Sequence, residues 1–73
     1  MRVLTGPQNS PEQRGNLAEL AGLHGLTPSL TADVQWWNVS TLYRACGWDT
    51  CACAVADVAI ADAFGIPVLD LIT

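Results

Sequence analysis

Asp57 is the side chain whose surroundings in the sequence best fit it for chemistry. It lies in the first turns of the apolar run from Cys51 to Phe64, which stops at Gly65 and passes through Ile66-Pro67 into an extended segment. A carboxylate in a loop-to-helix turn beside a parallel sheet is placed to meet a ligand, as most surface acids are not. Two loops join it: the turn Thr5-Gly6-Pro7-Gln8-Asn9 and the stretch from Gly47 to Cys53, each leading from a strand candidate into a helix candidate. Free backbone amides at helix starts attract a phosphate or a carboxylate, and Gly6 lets a ligand come close to the main chain. The candidate ligand-binding residues are therefore Thr5, Gly6, Pro7, Asn9, Trp48, Asp49, Thr50 and Cys53. Among the indoles, Trp48 is the better base-stacking candidate, because Trp36 and Trp37 are adjacent and at most one of them can line a pocket.

Each of these residues also has a plainer reading. Asp57 can simply complement the helix dipole or pair with Arg44, and Gly6-Pro7 can be an ordinary strand-ending turn. Cys46, Cys51 and Cys53 fall within eight residues, an odd number and too close together to staple distant parts of a fold. Free thiols are the favoured reading. Cys51 and Cys53 at a helix start could have lowered thiol pKa values, although small packing residues are the simpler assignment. With His24 the single histidine, no metal site within one chain and no cofactor are expected, and a metal shared across a symmetric dimer is a weak alternative. His24 itself reads as a partner for the C-terminal end of a helix dipole.

The elements that must position these groups follow from local signals. Arg2 to Thr5 reads as a short buried strand ended by Gly6-Pro7. Ser10 is a good N-cap, Pro11 suits the first helical position, and Gln13 is spaced to reach back to the Ser10 amide. Leu17, Leu20 and Ala21 recur at helical spacing, and Gly25 offers a left-handed cap. Leu26 to Leu30 is a second strand candidate that Pro28 confines to an edge. Thr31-Ala32-Asp33 can start a short helical turn carrying Trp36 and Trp37, and Val39 to Cys46 is the third strand candidate, although Leu42-Tyr43-Arg44-Ala45 also suits a helix.

Gly47 to Thr50 reads as a turn in which Asp49 or Thr50 caps the helix running to Phe64. That helix is apolar nearly all round, so it is expected to be buried on more than one side, against a sheet and another subunit. Pro67 to Ile72 reads as a strand covered on both faces, with Asp70 its one polar interruption. Strands alternating with helices predict a minimal three-layer Rossmann-like α/β fold, with a parallel sheet of about four short strands in one domain spanning residues 1–73.

Composition sets the limits. A chain of 73 residues buries only about 60% of its unfolded surface, so its core alone is marginal. Half the residues are apolar and 14% are charged, which argues against disorder and for a homodimer or higher oligomer. A net charge of -4, with three Arg and no Lys, excludes strong binding to nucleic-acid phosphates. No run approaches the roughly 18 apolar residues of a membrane span, and Arg2 is followed by no secretory hydrophobic stretch. A soluble, cytoplasmic protein without membrane contact is expected.

Gly47-Trp48, Asp57, Ala61 and Gly65-Ile66-Pro67-Val68 together resemble the C-terminal signature of the nucleoside 2-deoxyribosyltransferase-like superfamily, especially its small phage and bacterial members of unassigned function. Val3-Leu4-Thr5-Gly6-Pro7 looks like that family's first strand and turn. Asp33 with Trp36 resembles an acid and aromatic of related nucleotide N-glycosidases. The resemblance implies a nucleoside or nucleotide ligand. It casts Asp57 as the nucleophile that attacks the anomeric carbon and displaces the base, and Asp33 as the group that orients the sugar or protonates the leaving base.

Three departures point to reduced catalysis. Asp57 stands where the family has glutamate, and a shortfall on the order of 1 Å costs about a hundredfold in rate. Cys53 replaces a loop glycine, and a tyrosine often found on the first strand is absent. The expected functions are thus a nucleotide-binding module with little or no turnover, an active N-glycosidase or deoxyribosyltransferase, or a phage-type protein that binds a host protein through its apolar surface.

Overall fold

Val3, Leu4 and Thr5 are fully buried at the centre of the sheet, and the alternation of their side chains decides the layering. The computed structural model describes residues 1–30 and 34–71. Its elements are β1 (Arg2–Thr5), α1 (Pro11–Leu23), β2 (Thr27–Pro28), β3 (Thr41–Arg44), α2 (Ala52–Ala63) and β4 (Val68–Asp70), with 3-10 turns at Trp36–Asn38 and Trp48–Thr50. All strands pair in parallel, in the order β2-β1-β3-β4. The chain moves outward one way through α1 and the other way through α2, and right-handed crossovers of that kind place the two helices on opposite faces.

Two apolar clusters match that arrangement. Leu4 packs with Leu17 and Ala21 of α1 and with Ala45, while Val3 and Leu42 pack with Ala61 of α2 and with Val39. The result is a minimal, doubly wound Rossmann-like sandwich. None of its helices is long and apolar enough to cross a membrane, among the described residues.

Local chemistry explains both helices. The Ser10 Oγ accepts the Gln13 amide at 3.1 Å, and Pro11 opens α1 as expected. The Gln13 side chain, however, accepts from the Asn9 amide at 2.8 Å and not from Ser10, one residue earlier than the capping-box pattern predicts. Both helices end in the same way. Gly25 and Gly65 take φ of +66° and +71°, and the next amide, Leu26 or Ile66, donates back to Ala21 or Ala61. This is a Schellman closure, which favours glycine at the left-handed position.

Several expectations are corrected. The second strand shrinks to Thr27–Pro28, at the edge where Pro28 placed it, and the third to Thr41–Arg44. The cap of α2 is Cys51 and neither Asp49 nor Thr50, because the 3-10 turn spends the Thr50 hydroxyl on the Gly47 carbonyl at 2.7 Å. The β4 strand is not covered on both faces. It is an edge strand, α1 packs mainly over β2 and β1, and Leu69 is half exposed.

Likewise α2 is buried along one side, through Ala54 and Ala61, while Ala52, Val55, Ala56, Ala59 and Ala63 face outward. Trp36 packs against the core and Trp37 is exposed. The expected helical turn at Thr31-Ala32-Asp33 and the end of the last strand at Ile72 lie outside the described residues.

Candidate functional site

Because β1 and β3 are neighbours whose chains leave toward opposite sides, the crevice beyond their C-terminal ends is the switch point at which ligands bind in open α/β sheets. The two loops there touch. A Cβ on Gly47, whose φ is +85°, would meet Pro7 Cγ at 3.2 Å, and Asn9 Nδ2 donates to the Thr50 carbonyl at 3.4 Å. Thr5, Pro7, Asn9, Asp49 and Thr50 are thus gathered at one end of the sheet. Asp49, Thr50 and Cys53 are exposed.

Parity along β1 aims Thr5 at the same face as Val3, toward α2. Its hydroxyl donates to Asp57 Oδ2 at 2.8 Å. The same Thr5 oxygen accepts from the Ser29 hydroxyl at 3.3 Å, and Gln8 Nε2 donates to Ser29 Oγ and to the Gly6 carbonyl, each at 3.3 Å. A polar chain therefore runs from Gln8 through Ser29 and Thr5 to Asp57, across β1 and the end of β2. Asp57 is half buried, and among the described residues Thr5 is its one hydrogen-bond partner. The second carboxylate oxygen has no hydrogen-bond partner among those residues.

The pairing of Asp57 with Arg44 does not occur. Arg44 binds Asp70 across the β3–β4 pair, with Nη2 at 2.7 Å and Nε at 2.8 Å from Oδ1, and its guanidinium stacks on the Trp48 ring at 4.5 Å. Arg44 and Trp48 together line an open groove of about 420 Å³ with Val55, Val58, Ala59, Asp62 and Val68. A second depression of about 280 Å³ lies on the α1 side, lined by Pro7, Leu17, Leu20 and Ala45 together with Gln13, Asn16 and Cys46. Neither cavity includes Asp57.

Gly6 is buried. A Cβ there would meet Ala45 Cβ at 2.7 Å, so packing alone accounts for the glycine. Asp33 lies outside the described residues. Cys51, by contrast, is fully buried, with its backbone as the cap of α2. Burial opposes ionisation of its thiol, yet the amides of Ala54, Gln8 and Cys53 and the Cys53 thiol outweigh that effect and hold its pKa below the ordinary thiol value.

Sequence reading missed Ser29 and Gln8 as parts of the network. The available signal was that a hydroxyl directly after an edge strand meets the last residue of the neighbouring strand. No group of three or more metal-ligating side chains occurs among the described residues. Comparison with protein-family models, with curated proteins and with solved structures found no match to the chain.

Proposed function

We propose that the chain binds a nucleoside or nucleotide at the C-terminal ends of β1 and β3, with Asp57 holding a sugar hydroxyl and with little or no turnover. The observation that carries this reading is the Thr5–Asp57 hydrogen bond at the switch point, which fixes one carboxylate oxygen and leaves the other for a ligand. A carboxylate restrained in this way is a good acceptor for a hydroxyl. Catalysis is the weaker reading, because neither of the two depressions described above includes Asp57 or would exclude water from it.

The test is a panel of deoxynucleosides and their monophosphates, followed for base release and for thermal shift. A ligand at a hundredfold excess over Kd stabilises by about 2.7 kcal/mol, which in a domain of this size raises Tm by more than about 10 °C. Stabilisation without base release, lost in Asp57→Ala, is the expected result. Base release that Asp57→Ala abolishes would replace the binder with an N-glycosidase, and silence across the panel would sink both and turn attention to a protein partner.

The uncovered face of α2 favours association of copies in the same reading, since Val55 and Phe64 are 44% and 55% exposed beside four alanines. Sedimentation at micromolar concentration is expected to give twice the 7.8 kDa protomer mass or more. A monomer would remove oligomerisation from the reading.

A further inference from the structure

Cys51 and Cys53 are two thiols at one helix start with opposite access to solvent. Cys51 is fully buried and Cys53 is exposed in the first turn of α2. Two positions apart at a helix start, their Cα atoms are separated by about 5.4 Å, within the roughly 4.4–6.8 Å span of disulfides. Cys51, the N-cap, has an extended backbone just outside the helix, whereas Cys53 is helical, so a bond between their sulfurs pulls on the backbone of the first turn. That turn has no side-chain cap hydrogen bond, and the bond from the Val55 amide to the Cys51 carbonyl, 3.0 Å long, closes it.

We propose that Cys51 and Cys53 form a redox-responsive dithiol, which closes to a disulfide when a low-molecular-weight disulfide reaches Cys53 and in closing unwinds the first turn of α2. The Cys53 thiolate attacks one sulfur of the reagent, forming a mixed disulfide and expelling one thiolate. The Cys51 thiolate then attacks the Cys53 sulfur and expels the second thiolate. Two protein thiols are oxidised, their protons pass to solvent or to the departing thiolates, and one reagent disulfide is reduced to two thiols.

The surroundings of Cys51 suit the second step. Amides of Ala54, Gln8 and Cys53 favour its thiolate, while burial keeps other oxidants from it. The turn that closure strains leads directly into the part of α2 that carries Asp57 at the switch point. The inference stands whether or not that site binds a nucleotide.

The exposed Cys46 is a competing thiol, so the test uses Cys46→Ser. Oxidised glutathione is expected to remove two hydrogens from the folded chain, mapped to a Cys51–Cys53 link, with Val55 amide exchange faster by about tenfold or more and reversal by dithiothreitol. With Cys51→Ser added, a persistent glutathione adduct on Cys53 is expected. With Cys53→Ser in its place, Cys51 should stay unmodified. A persistent adduct on Cys53 with Cys51 present would overturn the dithiol. Closure with unchanged Val55 exchange would overturn the unwinding.

Discussion

Gly6→Ala is expected to destabilise the domain by about 2 kcal/mol or more, and Ala45→Gly is expected to restore most of the loss. The added methyl would lie 2.7 Å from Ala45 Cβ and 3.1 Å from Leu17 Cδ1. Leu17 can shift slightly; Ala45 cannot. Its Cβ is carried directly on the backbone, and its amide is bound to the Thr5 carbonyl at 2.8 Å as the β1–β3 pairing ends. Overpacking of this kind costs about 1–3 kcal/mol, and the rigid neighbour places Gly6 in the upper part of that range. A domain of 73 residues has a total stability on the order of 4–11 kcal/mol, so the substitution removes a large share.

The comparison also decides what the glycine is for. If Gly6 served only to admit a ligand, Gly6→Ala would unfold at the wild-type urea midpoint and lose binding alone. If packing sets it, the midpoint falls, and Gly6→Ala combined with Ala45→Gly recovers it with a coupling well above the scatter of independent sites.

What was legible in the sequence was what local chemistry decides. Ser10-Pro11 marked the start of α1, and Gly25 and Gly65 marked the ends of both helices, because each uses groups within four residues of itself. The alternation of strand and helix then led to a parallel sheet. The position of Asp57 near the end of β1 was legible for the same reason, since the loop-helix pattern carries it there.

Its partner was not legible. Choosing Thr5 over Arg44 depends on the β3–β4 register, which sets Arg44 opposite Asp70 and so removes it from competition. The cap of α2 was misread because Asp49 and Thr50 are the better capping types, whereas the 3-10 turn advances the chain so that Cys51 occupies the position. Likewise the apolar run of β4 suggests two covered faces, but only an inventory of layers reveals that no helix remains for the second. Trp48 followed Arg44, which no spacing along the chain announces.

Thr5→Val should uncouple Asp57 from the sheet at a cost of about 1–3 kcal/mol. Valine keeps the shape of threonine and removes one group, the hydroxyl. Thr5 is fully buried, and that hydroxyl serves twice: it donates to Asp57 Oδ2 and accepts from Ser29. A hydrogen bond to a charged partner contributes about 1.5–3 kcal/mol, reduced here because Asp57 is only half buried and water can replace the lost donor.

In a double-mutant cycle with Asp57→Ala, the combined loss should fall short of the sum by about 1 kcal/mol or more. Asp57→Asn should cost less than Asp57→Ala, since an amide oxygen still accepts from Thr5. Urea midpoints of these four chains decide the matter. Additive losses would mean that the bond contributes nothing to the fold. Coupled losses, together with weaker nucleotide binding in Thr5→Val although Asp57 is retained, would identify Thr5 as the residue that positions the carboxylate, because the ligand would then respond to a side chain that it does not touch.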